Sequence, residues 1–210
     1  MKIWDDNHRQ ATLMARKRAA ILDGAQRQFL ANGFGLTSMD AVAEDARVSV
    51  KTIYRHFDNK EELFVATARM VCEARADQFD EIWTWPPERC LPAYAQALID
   101  TLLDTAELGL FRILIAEGEN FPELLKMFEQ MVIRYRREIL ARYLDERSKI
   151  GDVRVKDSMA AATLFTAMLS GAVMEGALAS SDTLSLEEGK MFATRAADAF
   201  LILLRSGAAG

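Results

Sequence analysis

Lys51, Thr52, Arg55 and His56 stand within six residues of one another, with Ile53 and Phe57 set among them at i and i+4. A helix over this stretch turns the two apolar residues to one side and the cations, hydroxyl and imidazole to the other. Such a face suits phosphate oxygens and base edges, which are recognised by charge and hydrogen bonds. Catalysis has few places to sit. His8 and His56 are the only histidines and Cys72 and Cys90 the only cysteines, and no Cys–His pair, glycine-rich phosphate loop or metal-ligand spacing accompanies them. The expectation is a protein that is not an enzyme and needs no metal or cofactor.

A polar face must be held by neighbouring elements. Thr37, with Asp40 three residues on, has a capping-box pattern and opens a short helix whose apolar side is Met39, Val42 and Ala43. A turn at 45–48 follows, and Ser49 can cap a third helix ending near Phe57. Before them a helix over about 8–32 carries Leu22, Ala25, Phe29 and Leu30 at helical spacing, and Asn32-Gly33 stops it. Two short helices across a tight turn make a helix-turn-helix, which lays its second helix in the major groove while the first crosses the backbone.

Asn59 with Glu62 caps a fourth helix that runs to about residue 79. Trp85-Pro86-Pro87 and then Pro92 interrupt the chain, and helices are predicted at 92–106, 107–117, 122–149, 157–180 and 186–205. Gly151-Asp152 separates two of them, and Ser185 with Glu188 caps the last. No strand-like alternation and no internal repeat is visible. The expected fold is all-α: an N-terminal three-helix helix-turn-helix DNA-binding domain over 1–62, and a larger C-terminal helical ligand-binding and dimerisation domain over 63–210.

Charge supports that division. The 210 residues carry a net charge of −5, but residues 1–60 hold 10 Lys/Arg against 7 Asp/Glu, so a net +3 head precedes an acidic body. Phosphate attraction is local, so the head's sign counts for more than the total. The polar start has no secretory signal, and two isolated thiols suit a reducing compartment, so a cytoplasmic protein is expected. The longest uncharged run, 158–174, reads as a buried helix and not as a membrane span.

Ala41-Val42-Ala43, Ala46-Arg47-Val48-Ser49, Thr52-Ile53-Tyr54-Arg55-His56-Phe57 and Lys60-Glu61-Glu62-Leu63 together resemble the signature of the TetR (tetracycline-repressor) family, over about residues 18–64. Arg47 departs from it, since the family often has Gly in the turn; an αL-like backbone there gives Arg47 slight strain and a cation near DNA. The resemblance implies that Val50, Lys51 and Thr52, after the capping Ser49, lie nearest the bases. It implies phosphate contacts for Tyr54, His56 and Lys60, and for Thr37 or Ser38, with Arg55 on the same outward face. Tyr54 could instead pack on the fourth helix, His56 could make a local hydrogen bond, and Arg16, Lys17 and Arg18 could be a DNA arm or a solvated face.

Farther on, Phe111-Arg112-Ile113-Leu114-Ile115-Ala116-Glu117 and Phe121-Pro122-Glu123-Leu124, with Gly151-Asp152, look like the C-terminal domain of AefR-like TetR regulators. That resemblance implies a homodimer whose last two helices, two from each subunit, form a four-helix bundle. Gly171, Ala172, Gly176 and Ala179 would permit close approach, with Phe192, Ala196, Phe200 and Leu203 along the final helix. It also implies a small-molecule effector among the middle helices. Met70, Phe79, Trp83, Phe111, Phe128, Met131, Tyr135, Phe165 and Met168 are the candidates to line its site, each read first as a core residue and second as a ligand contact. They favour an apolar or aromatic ligand. Glu117 and Arg134 are its possible polar anchors or plain surface residues. The partners expected are therefore operator DNA, a second copy and an effector, with no membrane, and repression is the family's commoner mode. The rival reading is a helical small-molecule or lipid-binding protein without DNA activity, which would have no use for the polar face at Lys51, Thr52, Arg55 and His56.

Overall fold

Every regular element among residues 3–73, 81–179 and 184–209, which the structure (a computed structural model) describes, is helical. The helices are α1 Ile3–Leu36, α2 Met39–Asp45, α3 Val50–Tyr54, α4 Lys60–Glu73, α5 Pro87–Leu102, α6 Thr105–Glu117, α7 Pro122–Phe128, α8 Tyr135–Lys149, α9 Ser158–Ala179 and α10 Leu186–Ser206. A 3-10 turn at Ile82–Thr84 precedes α5, and a π-helical segment at Glu129–Arg134 joins α7 to α8. The chain divides into two compact units, Met1–Val71 with Gly109–Phe128, and Cys72–Leu108 with Glu129–Gly210. The boundary expected at 62/63 from the motif lies within the first of them, because α4 continues the head's core and later residues join it.

In the first unit Ile21, Leu22, Ala25 and Phe29 of α1 are buried, as are Val42, Ile53, Phe57, Leu63 and Phe64. Four phenylalanines close this core edge to face, with Phe29–Phe64 centroids at 5.0 Å, Phe34–Phe64 at 5.5 Å and Phe34–Phe121 at 4.8 Å. Gly33 breaks the helical path of α1, with φ 77° and ψ 177°, at the stop expected from Asn32-Gly33. The cap of α2 differs from expectation. Ser38 is the N-cap, its hydroxyl accepting from the Ala41 amide at 3.1 Å, whereas the Thr37 hydroxyl donates to the Gln28 and Gly33 carbonyls at 3.1 and 2.7 Å. Thr37 is drawn inward because the broken end of α1 leaves carbonyls that need donors.

The second unit is a helical bundle in which α10 packs on α5, and α9 on α8. Its core joins Leu91, Ile99, Leu140, Leu144, Phe165, Leu169, Phe200 and Leu204. Pro92 does not start α5 as expected; the helix begins at Pro87 and Pro92 lies inside it. So near the N-terminus its ring meets little preceding helix, and only one carbonyl loses its partner. The single helix expected over 122–149 is also corrected, since residues 129–134 are π-helical. A π turn takes in an extra residue without Pro or Gly, so the apolar spacing around it still reads as helix. The Ser185–Glu188 capping box forms as expected, and Asp157 caps α9 through the Ala160 amide at 2.9 Å. By length and composition α9 could cross a membrane, with mean hydropathy 1.3 over 158–176. Here Ala161, Ala162, Phe165, Leu169 and Val173 turn one side of it into the core.

Candidate nucleic-acid interface

The turn between α2 and α3 is built by backbone. The Arg47 amide donates to Glu44 O at 3.1 Å and the Val48 amide to Ala43 O at 2.9 Å, the paired bonds of a Schellman stop. This stop requires a left-handed residue, and Arg47 takes it with φ 54°, the one non-glycine with positive φ among the described residues. The sequence had marked this position as αL-like. Asp45 closes the first helix against α1, both its oxygens held, one by Arg27 and the other by Gln28 at 3.0 Å. Ser49 then caps α3, accepting from the Thr52 amide at 3.2 Å while its hydroxyl lies 2.8 Å from that of Thr52.

On α3 the apolar anchor is Ile53, fully buried, with Phe57 beyond it. Arg47, Ser49, Lys51, Tyr54 and Arg55 are exposed around it, and Val50, Thr52 and His56 are half-buried. Tyr54 is 51% exposed, which leaves about half of its side chain open to a partner. His56 Nε2 is buried and has no hydrogen-bond partner among the described residues. Its pKa is lowered by burial first, then by the positive charges of Arg18, Arg55 and Lys17. Arg18 lies over the Phe57 ring at 5.1 Å, which brings the Arg16–Arg18 run beside the end of this face.

Two residues expected on phosphate are engaged elsewhere. Lys60 Nζ donates to the carbonyls of Phe34, Gly35 and Thr37 at 2.8, 3.2 and 3.1 Å, and lies 4.5 Å from the Phe34 ring. All three ammonium donors are thus committed to the linker between α1 and α2. Thr37 is buried and bonds to α1, leaving the exposed Ser38 as the hydroxyl at the start of α2. The same linker is gripped through its amide, because Glu117 Oε1 accepts from Gly35 N at 3.0 Å. A Cβ at Gly35 would lie 3.2 Å from Glu117 Oε2, so a side chain there would crowd the carboxylate. Glu117 is therefore a tie within the first unit. Arg134 is exposed.

The effector candidates fall in different units. Met70, Phe111 and Phe128 belong to the first; Trp83, Met131, Tyr135, Phe165 and Met168 belong to the second; and Phe79 lies outside the described residues. Phe165 is core, fully buried and stacked on Phe200 at 4.4 Å and 12°. Trp83 packs near Tyr94 at 5.4 Å and Tyr143 at 5.6 Å. Tyr135 is exposed and Met131 half-buried at the π segment. A groove in the second unit is polar instead, lined by Glu138, Arg142, Asp145, Lys156 and Asp157 among others, and takes in none of the nine.

Sequence reasoning missed the ion pair inside the second unit. Arg136 Nη2 donates to Glu107 Oε1 at 2.9 Å, and Glu107 is 8% exposed. Burial pushes Glu107 upward in pKa, against the pull of Arg136 and a hydrogen bond from Cys72. Its only sequence signal was an acidic residue set between Ala106 and Leu108, where Asp104 already caps α6 through the Ala106 amide at 2.9 Å.

The family model described as "Bacterial regulatory proteins, tetR family" matches residues 21–67, and that of the "AefR-like transcriptional repressor, C-terminal domain" matches residues 89–203. Among solved structures, a TetR-family transcriptional regulator from Mesorhizobium loti is similar at 27% identity and TM-score 0.76, over 90% of this chain and 97% of that one. A TetR family regulator from Pseudomonas syringae is 26% identical with TM-score 0.66, over 89% and 95%. The flavonoid-responsive regulator FrrA is 25% identical with TM-score 0.65, over 90% and 96%. No curated protein matches. A helix-turn-helix of this build, with both family models and these neighbours in agreement, means that the chain belongs to the TetR family of transcriptional regulators, with a C-terminal domain of the AefR-like type.

Proposed function

We propose that this protein is a cytoplasmic homodimeric repressor that binds a (pseudo)palindromic operator through α3 and is released by a small apolar or aromatic ligand. The observation that carries the DNA half is the exposed set Arg47, Lys51, Tyr54 and Arg55 around the buried Ile53. Val50, Lys51 and Thr52 read base edges, while Ser38, Ser49, Tyr54, Arg55 and His56 meet the backbone. One helix-turn-helix offers too few contacts for useful specificity, so two act together. Exposed Met159 and Leu164 on α9, and Met191 and Ile202 on α10, support pairing through the last two helices.

The ligand half rests on a helical C-terminal domain rich in aromatics and on a neighbour described as flavonoid-responsive. The ligand favours a conformer whose two heads no longer match the half-site spacing. A near-complete switch needs a preference of about 5 kcal/mol for that conformer. Footprinting of the intergenic DNA beside the gene, with sedimentation at micromolar protein, tests the reading. A dimer protecting half-sites about one or more helical turns apart is expected. A monomer that footprints one asymmetric site overturns dimeric binding. Substituting Arg55 by Ala should lower the salt slope of binding by about one unit, and substituting Lys51 by Ala should change the preference between operator variants; an unchanged slope together with an unchanged preference removes α3 from the interface.

A further inference from the structure

The Glu107–Arg136 pair leaves one atom unaccounted for. Glu107 Oε1 takes the Arg136 guanidinium at 2.9 Å, but Oε2 is buried and has no hydrogen-bond partner among the described residues. Cys72 also donates to this carboxylate, and buried polar atoms are nearly always partnered, so Oε2 keeps an acceptor position open to a further donor. The pair is also expensive to desolvate, and an apolar core would be as stable without it. One aromatic ring of the second unit, Tyr94, lies near the Arg136 side of the pair, with further rings beyond it. Tyr94 is buried and lies within the field of Arg136 and Arg137; its ring centroid is 5.4 Å from Trp83 and 6.2 Å from Phe165.

These features define the chemistry of a guest. The orphan is an acceptor, so the guest brings an O–H. Arg136 is already balanced by Glu107, so nothing calls for an anion, and a carboxylate on the guest would face a like charge. Flat aromatic neighbours favour a ring next to that hydroxyl. We infer that Glu107 Oε2 accepts a hydrogen bond from the hydroxyl of a hydroxylated aromatic effector, which makes Glu107 a specificity-determining residue of the C-terminal domain. The inference rests on the reading that the effector binds this domain.

Matched pairs that differ by one methyl group test it: 7-hydroxyflavone with 7-methoxyflavone, and 2-naphthol with 2-methoxynaphthalene. Each is titrated calorimetrically into the wild-type protein, into Glu107→Gln, and into the paired variant Glu107→Leu/Arg136→Met. The paired variant replaces the ions with apolar side chains of similar size, which cores tolerate, so it keeps the test open if the single variant folds poorly. Wild type should bind a hydroxyl compound about 10- to 100-fold tighter than its ether, because the ether leaves Oε2 unpaired. The preference should shrink in Glu107→Gln and vanish in the paired variant. Equal binding of alcohol and ether to wild type overturns the inference, as does a preference that survives undiminished in the paired variant. It is likewise overturned by failure of every hydroxyl compound to bind, or by a ligand-bound structure with only a water at Oε2. Operator affinity without ligand, measured on the same samples by fluorescence anisotropy, judges the repressor reading separately. Intact operator binding with no hydroxyl preference sinks this inference alone.

Discussion

The two compact units dispose of their cations in opposite ways. In the first, Arg47, Lys51 and Arg55 stand in solvent around a buried Ile53. In the second, Arg136 is paired to Glu107 inside the core. Solvated cations cost the free chain little and lose little when they pair with phosphate, so they suit a partner that comes and goes. A buried pair has been stripped of water during folding, and its worth lies in geometry. Lys60 stands between these cases, a cation of the DNA-binding head whose donors are spent on its own chain.

The largest effect should come from breaking the buried pair on one side. Arg136→Met leaves Glu107 without its counter-ion and should destabilise the second unit by about 3–5 kcal/mol, read as a drop in its urea midpoint. The paired variant with Glu107→Leu should recover most of this loss. Lys51→Ala, in the same assay, should leave stability where it was. If Arg136→Met unfolded no sooner than Lys51→Ala, the two units would not differ in the way described.

Next in size is Lys60→Met, which takes the donor from three linker carbonyls and should cost about 2 kcal/mol in the first unit. Operator affinity should fall with it for every sequence, because the linker sets the start of α2. The salt slope should stay unchanged, since no phosphate contact is lost. A slope reduced by about one unit, with stability intact, would return Lys60 to the phosphate role expected from sequence. Smaller again is Arg47→Gly. Relief of the left-handed backbone should stabilise the first unit by about 1 kcal/mol, while loss of the cation weakens operator binding at low salt. Stabilisation without any change in binding would take Arg47 off the DNA.

The head was largely legible in the sequence because its devices are local. Ser49 caps within three residues, the Schellman turn needs only its own backbone, and Ile53 with Phe57 gives a face within one turn. Where a residue's partner is distant, the sequence misled. Thr37 looked like a cap until the carbonyls of Gly33 and Gln28, four and nine residues back in α1, claimed its hydroxyl. Lys60 looked free because Phe34 and Gly35 lie about 25 residues away in the chain. The body gave up less: the π segment keeps an apolar spacing that imitates α-helix, and Glu107 meets Arg136 across 29 residues. Tertiary contacts of this kind leave no periodicity to read.

The smallest effect is a dependence on pH, and it separates folding from binding by sign. His56 is held below its usual pKa by burial and by Arg18, Arg55 and Lys17, so the unfolded chain takes up its proton more readily than the folded one. Its contribution to stability is therefore complete above the unfolded value of about 6.5 and is lost as pH falls below it toward the folded value. Operator binding should move the other way. A phosphate laid beside these cations offsets their repulsion and supplies an acceptor for the imidazolium, so binding takes up a proton and tightens between about pH 7.5 and 6. Fluorescence anisotropy at constant ionic strength should show this as a gain of a few-fold, on the order of half a log unit, and His56→Gln should flatten both profiles. Tightening on acidification that persists in His56→Gln would assign the proton to another group. A flat binding profile in the wild-type protein, over a range where its stability still falls, would leave His56 a packed ring of the first unit with no phosphate beside it.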